Sequence, residues 1–338
     1  MTEGMGARDV TRRVESAVRA VLPRSVRVKP AGPGPAADFL VNGIPVQAKW
    51  VGEGWLRDVR PVVADRRRRP DLVVARRISP GAREALSNAG IGWLDETGAA
   101  EFVIGPIIVS RTGQPEEAPQ KHARWTPSVL AVSEALLCGA RATVAGVGEA
   151  TGLSSASCTT ALRVLTDLGL LGAMAERGRD SARHIVDFDR LLDAYASAAA
   201  ASPPKRSLRV GVTWSDIITG LAETGRIWNQ QKLNWATTGA AASLLLAPLL
   251  TSVGAAEVFV EARTTAELRA AAEVAGLRPI DGGRLTLLPF PTVTAHRLAT
   301  EVDGVRVAPW PRVYADLRKA GVRGEEAAQH LREVADAR

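Results

Sequence analysis

Three residues near the start of the chain have the types and spacing of a catalytic centre. Asp38 begins the first of two short extended segments, and Gln47 and Lys49 lie two residues apart in the second. Side chains at positions i and i+2 of a strand leave the same face, as metal-assisted hydrolysis requires. With Asp38 as the one firm carboxylate, binding of a hard cation would be weak. A domain that kept its fold and lost catalysis is therefore the alternative.

The elements that must position these residues follow an α/β plan. An amphipathic helix over residues 7–21 comes first, and extended segments follow. Asn42-Gly43, between the segments that carry Asp38 and Gln47, predicts a hairpin, because both residues accept the positive φ angles of a type I′ turn. Together with the segments that follow, the order of elements is αβββαβαβ.

Asp38 followed by Gln47-Ala48-Lys49 resembles the PD-(D/E)xK nuclease superfamily, in the Mrr-like branch where glutamine replaces the second acid. The resemblance implies a restriction-endonuclease-like domain over residues 1–111. In that family the residues matching Asp38 and Gln47 hold a divalent metal, and the one matching Lys49 positions or activates water. Some members carry another acid at the place of Glu15. Because the second acid is missing here, we expect a vestigial site with no metal and no cofactor.

The charge of the chain favours a polyanionic partner. Its net charge is +7 and its pI about 10.0, while residues 210–338 carry 14 basic and 14 acidic residues, so residues 1–209 hold the whole excess. The run Arg66–Arg69 fits phosphate contacts or a solvated helix end. An arginine-rich and alanine-rich composition typical of a GC-rich genome is the other explanation of the charge.

Cysteine usage and hydropathy exclude several classes of protein. The two cysteines, Cys138 and Cys158, form no CxxC pair and no ligand cluster, which argues against a disulfide scaffold or a zinc site. The longest apolar run, residues 239–250, is too short for a bilayer and contains Pro248. The N-terminus has no apolar signal core. We therefore expect a cytoplasmic protein without a membrane partner.

The clearest local signals predict three helices between residues 126 and 168. Hydroxyl side chains with a following proline or helix-forming segment mark the starts, and glycines mark the ends. The starts are Thr126, Thr143 and Ser154, and the last two helices end at Gly152 and Gly169.

The third of these helices has two different faces. Cys158, Ala161, Leu162, Leu165 and Leu168 form an apolar face that would dock on the other helices. Short hydrogen-bonding side chains and an arginine on the other face suit the major groove of DNA. The residues predicted to bind DNA on this face are Ser155, Ala156, Thr159, Thr160 and Arg163.

A predicted hairpin follows the third helix, with strands at 170–174 and 184–188. Arg177, Arg179 and Arg183 lie near its tip, where they can follow phosphates or enter a minor groove. Residues 125–196 are therefore predicted to be a winged helix-turn-helix. An interaction module that does not contact DNA is the alternative.

The last third, residues 210–338, shows no catalytic constellation and is predicted to be an α/β domain. The segment Trp-Ala-Thr-Thr-Gly-Ala-Ala-Ala from Trp235 is expected to open a helix reaching Leu249, and Val-Phe-Val-Glu follows as a strand. The chain ends with the segments Pro-Arg-Val-Tyr-Ala-Asp-Leu and Gly-Glu-Glu-Ala-Ala-Gln-His-Leu-Arg. Through these segments and the predicted winged helix, residues 125–338 resemble AbiEi-type antitoxins of type IV toxin–antitoxin systems.

The AbiEi resemblance implies a repressor of its own promoter that binds inverted repeats. It also implies a nucleotidyltransferase-like toxin that is countered without a stable complex. The additional domain at residues 1–111 departs from the pattern, so a stand-alone regulator is the alternative, with residues 210–338 as a dimerisation or sensing unit.

The leading hypothesis is a bacterial sequence-specific transcriptional regulator that binds double-stranded DNA. Further expected partners are a nucleotidyltransferase-like toxin and a second copy of the chain. An Mrr-like DNA nuclease that uses Asp38, Gln47 and Lys49 is the rival.

Overall fold

The chain is a mixed α/β protein with two compact units. The computed structural model describes residues 7–23, 25–31, 37–113, 125–173, 183–249 and 253–337, and its compact units are Met1–Gln120 and Lys121–Arg338. The predicted α/β multidomain class is confirmed at this level. Within those ranges, every helix is too short or too polar to cross a lipid bilayer.

The first unit alternates helices with short strands. Its elements are α1 (Ala7–Val21), β1 (Val28–Pro30), β2 (Phe39–Val41), β3 (Ile44–Val46), β4 (Ala48–Trp50), α2 (Leu56–Ala64), β5 (Leu72–Ala75), α3 (Pro80–Asn88), β6 (Gly92–Asp95), β7 (Ala99–Ile104) and β8 (Ile107–Thr112).

The predicted hairpin between β2 and β3 is confirmed. Asn42 and Gly43 have φ angles of 49° and 86°, as a type I′ turn requires, and β2 pairs antiparallel with β3. The extended segment is interrupted at Gln47, where strand β3 has ended, and the chain continues as β4, which belongs to a different sheet. That sheet has the order β4-β5-β6-β7-β8, with parallel pairing from β4 to β6 and antiparallel pairing after it. One extended segment therefore connects the two sheets of the unit.

Strand β5 shows that the five-stranded sheet is covered on both faces. Leu72 and Val74 belong to one apolar cluster together with Val18 of α1. The alternate residue Val73 belongs to a second cluster together with Leu86 of α3. A strand buried on both faces is a continuous apolar run, as Leu-Val-Val-Ala is.

The second unit begins with helices and a short hairpin, and a large sheet follows. Its elements are α4 (Pro127–Leu137), α5 (Val144–Thr151), α6 (Ser155–Asp167), β9 (Leu171–Ala173), β10 (Arg183–Ile185), α7 (Phe188–Ala200), β11 (Leu208–Gly211), α8 (Ile217–Gln230), β12 (Trp235–Thr238), α9 (Gly239–Leu246), β13 (Ala256–Val260), α10 (Thr265–Val274), β14 (Arg278–Pro279), β15 (Leu285–Pro289), α11 (Thr294–Arg297), β16 (Thr300–Val302), β17 (Val305–Val307), α12 (Trp310–Leu317) and α13 (Gly321–Asp336).

A mixed seven-stranded sheet organises the C-terminal part, with the order β14-β11-β15-β13-β12-β17-β16. The prediction of a helix from Trp235 to Leu249 was wrong at both ends. Trp235–Thr238 is a buried strand that pairs antiparallel with β13 and parallel with β17, and the helix runs only from Gly239 to Leu246. Pairing on both sides outweighs the helix preference of the alanines that follow.

One hydrophobic core extends through the whole second unit. It joins Leu162 of α6 and Leu191 of α7 to Trp235, Val258 and Leu285 of the seven-stranded sheet. The boundary between the predicted domains 125–196 and 210–338 falls inside this unit. There, α7 ends at Ala200 and β11 begins at Leu208. The two predicted domains therefore pack as neighbours in one compact body.

A buried carboxyl group links the helices of the second unit. Glu134 on α4 accepts hydrogen bonds from Tyr195 of α7 at 2.5 Å, from Thr292 at 2.8 Å and from Thr294. Burial raises the pKa of Glu134, because the ionised form loses its hydration, and Arg312 and the three hydroxyl groups oppose that shift only in part. The group therefore ties α4 to α7 and to the segment that begins α11.

A buried ion pair lies close to Glu134. Arg312 and Asp316 of α12 form a two-point pair at 2.5 and 2.9 Å, and Thr238 donates a hydrogen bond to Asp316 at 2.8 Å. Burial alone would raise the pKa of Asp316, but the guanidinium group of Arg312 lowers it. Asp316 therefore stays ionised and ties α12 to the end of β12.

Removal of the Glu134 carboxyl group should destabilise the second unit. Glu134→Ala removes the common acceptor of three buried hydroxyl groups, and we expect a loss of about 3 kcal/mol in the free energy of unfolding. Glu134→Gln retains an acceptor and should lose less. Urea denaturation followed by tryptophan fluorescence measures both changes.

A pH series on the same variants tests the raised pKa of Glu134. A carboxyl group whose pKa is higher in the folded than in the unfolded state stabilises the fold most while it is protonated. Its contribution to the free energy of unfolding is complete below its pKa in the unfolded state, about 4.3, and is lost as the pH rises through its pKa in the folded state. The stability of the wild type relative to Glu134→Gln should therefore fall with rising pH. A difference that stays constant over the series would contradict a raised pKa of Glu134 in the folded state.

Candidate functional site

Hydrogen bonds from backbone amides to hydroxyl groups fix the starts of α4, α5 and α6. The hydroxyl oxygens of Thr126, Thr143 and Ser154 accept bonds from the third backbone amide after each, at 3.0 to 3.3 Å. Gly152 ends α5 in the left-handed conformation with a φ angle of 71°, which glycine adopts without strain. The three predicted helix starts and the turn between α5 and α6 are confirmed.

Helix α6 divides its residues between the core and the surface. Cys158, Ala161, Leu162 and Leu165 are buried against the other helices. All five residues predicted to bind DNA on this helix lie on its exposed side: Ser155, Ala156, Thr159, Thr160 and Arg163. The structure therefore brings them together as one exposed surface, called here the α6 face.

Two hydroxyl groups near the start of α6 already have local partners. Thr159 donates to the carbonyl oxygen of Ser155 at 2.8 Å, and Ser154 donates to the hydroxyl oxygen of Ser157 at 3.0 Å. The bond of Thr159 leaves acceptor capacity on its oxygen. Ser154 serves as the cap of the helix.

The hairpin after α6 has antiparallel strands with Ala173 opposite Arg183. Arg183 lies on β10, and its side chain donates to the hydroxyl oxygen of Thr166 at 3.2 Å, which ties the hairpin to the C-terminal end of α6. The predicted residues Arg177 and Arg179 lie outside the described residues. Arg183 thus lies at the loop end of the two strands, where its side chain holds β10 against α6.

The first unit has an open pocket of about 260 Å³ where the two sheets meet. Residues of β4 and of the segments just before β2, β4 and β5 converge there. The pocket is lined by Ala37, Asp38, Gln47, Ala48, Lys49, Arg68 and Pro70. The structure therefore brings together the three residues predicted as a catalytic centre.

Two carboxylates hold the backbone at this break. Asp38 accepts the amide of Ala48 at 2.7 Å, and Asp71 accepts the amide of Gln47 at 2.8 Å. Asp71 directly precedes β5, whose first amide, that of Leu72, donates to the carbonyl oxygen of Gln47 at 3.1 Å. The carboxylates thus compensate for the missing strand pairing where the chain passes from one sheet to the other.

Glu15 lies outside the lining of this pocket. It pairs with Arg19 on the next turn of α1 at 2.7 Å, and Arg19 also donates to the carbonyl oxygen of Val28. The first contact lies within α1, and the second fastens α1 to β1. The structure gives Glu15 a local role that the family resemblance did not predict.

The residues of the basic run have different surroundings, although all four are exposed. Arg68 lines the pocket, whereas Arg69 donates to the carbonyl oxygens of Val63 and Ala89. Asp65 accepts the amides of Arg67 and Arg68 and so fixes the loop. Arg68 and Lys49 give the pocket a basic rim.

Sequence reasoning missed two residues of this pocket region. Asp71 lies between Pro70 and the buried strand β5, and this Pro-Asp pair was a usable signal. Arg68 could not be singled out from four consecutive arginines. Which of the four points into the pocket depends on the loop that Asp65 fixes.

The donor set of the pocket does not fit a tightly held divalent cation. Among the described residues, no group of three or more histidine, cysteine or acidic side chains is placed to share a metal ion. Asp38 is the carboxylate that lines the pocket, and one of its oxygens is engaged by the amide of Ala48. Hard cations prefer several oxygen ligands, mostly carboxylates.

No family model, curated protein or solved structure matches the chain. The α6 face is an exposed surface on a helix whose opposite side is buried, and the pocket is a concave site with mixed charge.

The α6 face should be dispensable for folding. Thr160→Ala and Arg163→Ala are expected to change the free energy of unfolding by no more than about 0.5 kcal/mol, because both side chains are exposed. Leu162→Ala, between them in sequence but fully buried, should cost about 2–5 kcal/mol. Urea denaturation of the three variants makes the comparison. A large loss in Thr160→Ala or Arg163→Ala would assign the face to packing.

Proposed function

We propose that the chain is a sequence-specific regulator of transcription that binds double-stranded DNA. In this proposal α4 to α6 with β9 and β10 form a winged helix-turn-helix, and α6 is the reading helix. The observation that carries the proposal is the α6 face: five predicted contact residues are exposed together, while the opposite side of the helix is anchored in the core.

The chemistry of the α6 face suits the edges of base pairs. Serine and threonine hydroxyl groups donate to or accept from either kind of base, and the guanidinium group of Arg163 matches the two acceptors of guanine. The methyl groups of Ala156 and Thr160 suit the methyl group of thymine. A helix fixed by its buried side holds these groups in one register, so differences in base sequence become differences in affinity.

The hairpin and the charge distribution supply the part of binding that does not depend on sequence. Arg177 and Arg179 would contact phosphates, and Arg183 would orient the hairpin through its bond to Thr166. Because residues 1–209 carry the whole net positive charge, attraction to DNA should arise mainly from that part of the chain.

An autoregulating antitoxin is a narrower form of this proposal. It is supported by the resemblance of residues 125–338 to AbiEi-type antitoxins, and it requires a nucleotidyltransferase-like toxin encoded beside this chain. Relief of that toxin's effect on growth by co-expression of the chain would support the narrower form. A neighbourhood without such a toxin would leave a stand-alone regulator.

DNA titrations test the reading role of α6. A duplex enriched from a random library by the full-length chain, the selected duplex, is compared with a scrambled duplex of the same composition. Arg163→Ala should weaken binding to the selected duplex by about 1–3 kcal/mol if it contacts a base. Arg179→Ala should weaken binding to both duplexes and lower the slope of log affinity against log salt by about one.

Arg269→Ala on α10 is the matched control, since it removes one exposed arginine outside the α6 face and the hairpin. Equal effects of Arg163→Ala and Arg269→Ala would show that only the net charge matters. Failure of the wild type to prefer any duplex would refute the proposal itself.

A metal-dependent nuclease is the second candidate, favoured by the convergence of Asp38, Gln47 and Lys49 on one pocket. An Mrr-like enzyme would use the first two as metal ligands and the lysine to position water. The poor fit of the donor set argues against it. If the chain has no nuclease activity, the pocket would serve as a basic surface or would be the remnant of a catalytic site.

We expect no cleavage of plasmid or linear duplex DNA in the presence of magnesium or manganese. Asp38 alone supplies too little negative charge for a hard cation. Agarose gel assays with the wild type, Asp38→Ala and Lys49→Ala decide the question. Robust cleavage by the wild type that is lost in both variants would move the chain to the nuclease class.

A further inference from the structure

Helix α11, a single turn in the C-terminal part, lies against two helices of the proposed DNA-binding module. It packs on α4 and on α5. Two hydroxyl groups at its start, those of Thr292 and Thr294, donate to the buried carboxyl group of Glu134 on α4. The start of α11 is therefore fixed on α4, the helix that precedes α5 and α6.

The other end of α11 contacts the C-terminal end of α5. The guanidinium group of Arg297 points its Nε at the carbonyl oxygen of Ala150 and an Nη at that of Glu149, each at 3.4 Å. A cation at this position is stabilised by the unsatisfied carbonyl groups and the dipole of the helix end. The same guanidinium group lies over Gly152, about 3.2 Å from where a Cβ atom would stand. Arg297 thus covers the residue that ends α5.

The seven-stranded sheet holds α11 in place from behind. Phe290, just before α11, packs on Phe259 of β13 and meets the ring of His296 edge-on, with ring centres 5.8 and 5.6 Å apart. Arg306 of β17 donates to the carbonyl oxygen of His296 at 3.4 Å. Movement of α11 relative to the sheet would break contacts with two strands.

The connection between α5 and α6 leaves little slack. Gly152 ends α5, and Ser154, two residues later, caps α6. The amide of Leu153 between them is held by the hydroxyl oxygen of Thr151 at 3.2 Å. The direction in which α5 ends therefore sets the direction in which α6 begins.

We propose that Arg297 is a positioning residue for the reading helix: it holds the C-terminal end of α5 on α11 and so couples the orientation of α6 to the C-terminal sheet. This inference rests on the proposed DNA-reading role of α6. It gives the neutral last third a part in sequence recognition without a contact to DNA.

The test compares Arg297→Ala, Arg297→Lys and the charge-matched control Arg269→Ala in the full-length chain. Arg297→Ala should lower affinity for the selected duplex about fivefold relative to the control. Affinity for the scrambled duplex and the salt slope should match those of the control, because no phosphate contact is removed. Arg297→Lys keeps a donor at the end of α5 and should restore part of the loss.

Two outcomes would overturn the assignment while leaving the proposed function intact. Equal losses on both duplexes with a salt slope lower by about one would make Arg297 a direct phosphate contact. Unchanged affinity for both duplexes would show that α11 does not orient α6. Failure of the wild type to prefer the selected duplex would instead refute the proposed function.

Hydrogen–deuterium exchange of the free protein gives a readout that does not depend on DNA. Arg297→Ala should speed exchange of the amides from Glu149 to Cys158, which cover the end of α5 and the start of α6. Exchange in α10 should stay unchanged, as should the urea midpoint of the whole chain. Exchange equal to that of the wild type at the end of α5 would overturn the coupling by itself.

Discussion

Glu134 can occupy a dry interior only while hydroxyl groups donate to it, because an unpartnered buried polar group costs about 1–3 kcal/mol or more. Its donors come from α7, before the first strand of the seven-stranded sheet, and from the segment that begins α11, between β15 and β16. The adjoining pair of Arg312 and Asp316 extends the same constraint to α12 and to the end of β12. The helices of the proposed reading module and the seven-stranded sheet therefore stay together, since separating them would leave these groups without partners.

The same packing determines which side of α6 is exposed to solvent. The helix can present short polar side chains to solvent because its apolar side is held in the core shared with the sheet. Its start is fixed by Ser154, and the end of α5 by Gly152 and Arg297. A surface that reads base sequence must hold its donors and acceptors in one geometry, because a mobile surface would bind many sequences almost equally.

The pocket of the first unit follows a different principle. A break in a strand at Gln47 leaves backbone amides without strand partners, and the carboxylates of Asp38 and Asp71 accept them. The geometry gathers residue types used in metal-assisted hydrolysis, yet the carboxylates are engaged in holding the chain. The pocket thus resembles a nuclease centre in the positions of Asp38, Gln47 and Lys49. It offers too few oxygen donors for a hard cation.

The sequence by itself determined the features that depend on neighbouring residues. Capping hydroxyl groups set the starts of α4, α5 and α6, the Asn42-Gly43 pair set the hairpin turn, and the spacing of apolar residues set which side of α6 is buried. It also marked Asp38, Gln47 and Lys49 as a group. Only the tertiary structure decided the rest. Trp235–Thr238 became a strand because two other strands pair with it, and Asp71 reached Gln47 because β4 and β5 are parallel neighbours. Glu134 found its hydroxyl partners more than sixty residues away, in Tyr195, and about 160 away, in Thr292 and Thr294. Local sequence encodes capping and periodicity through contacts within a few residues, whereas pairing and buried polar contacts depend on distant segments that meet only when the core forms.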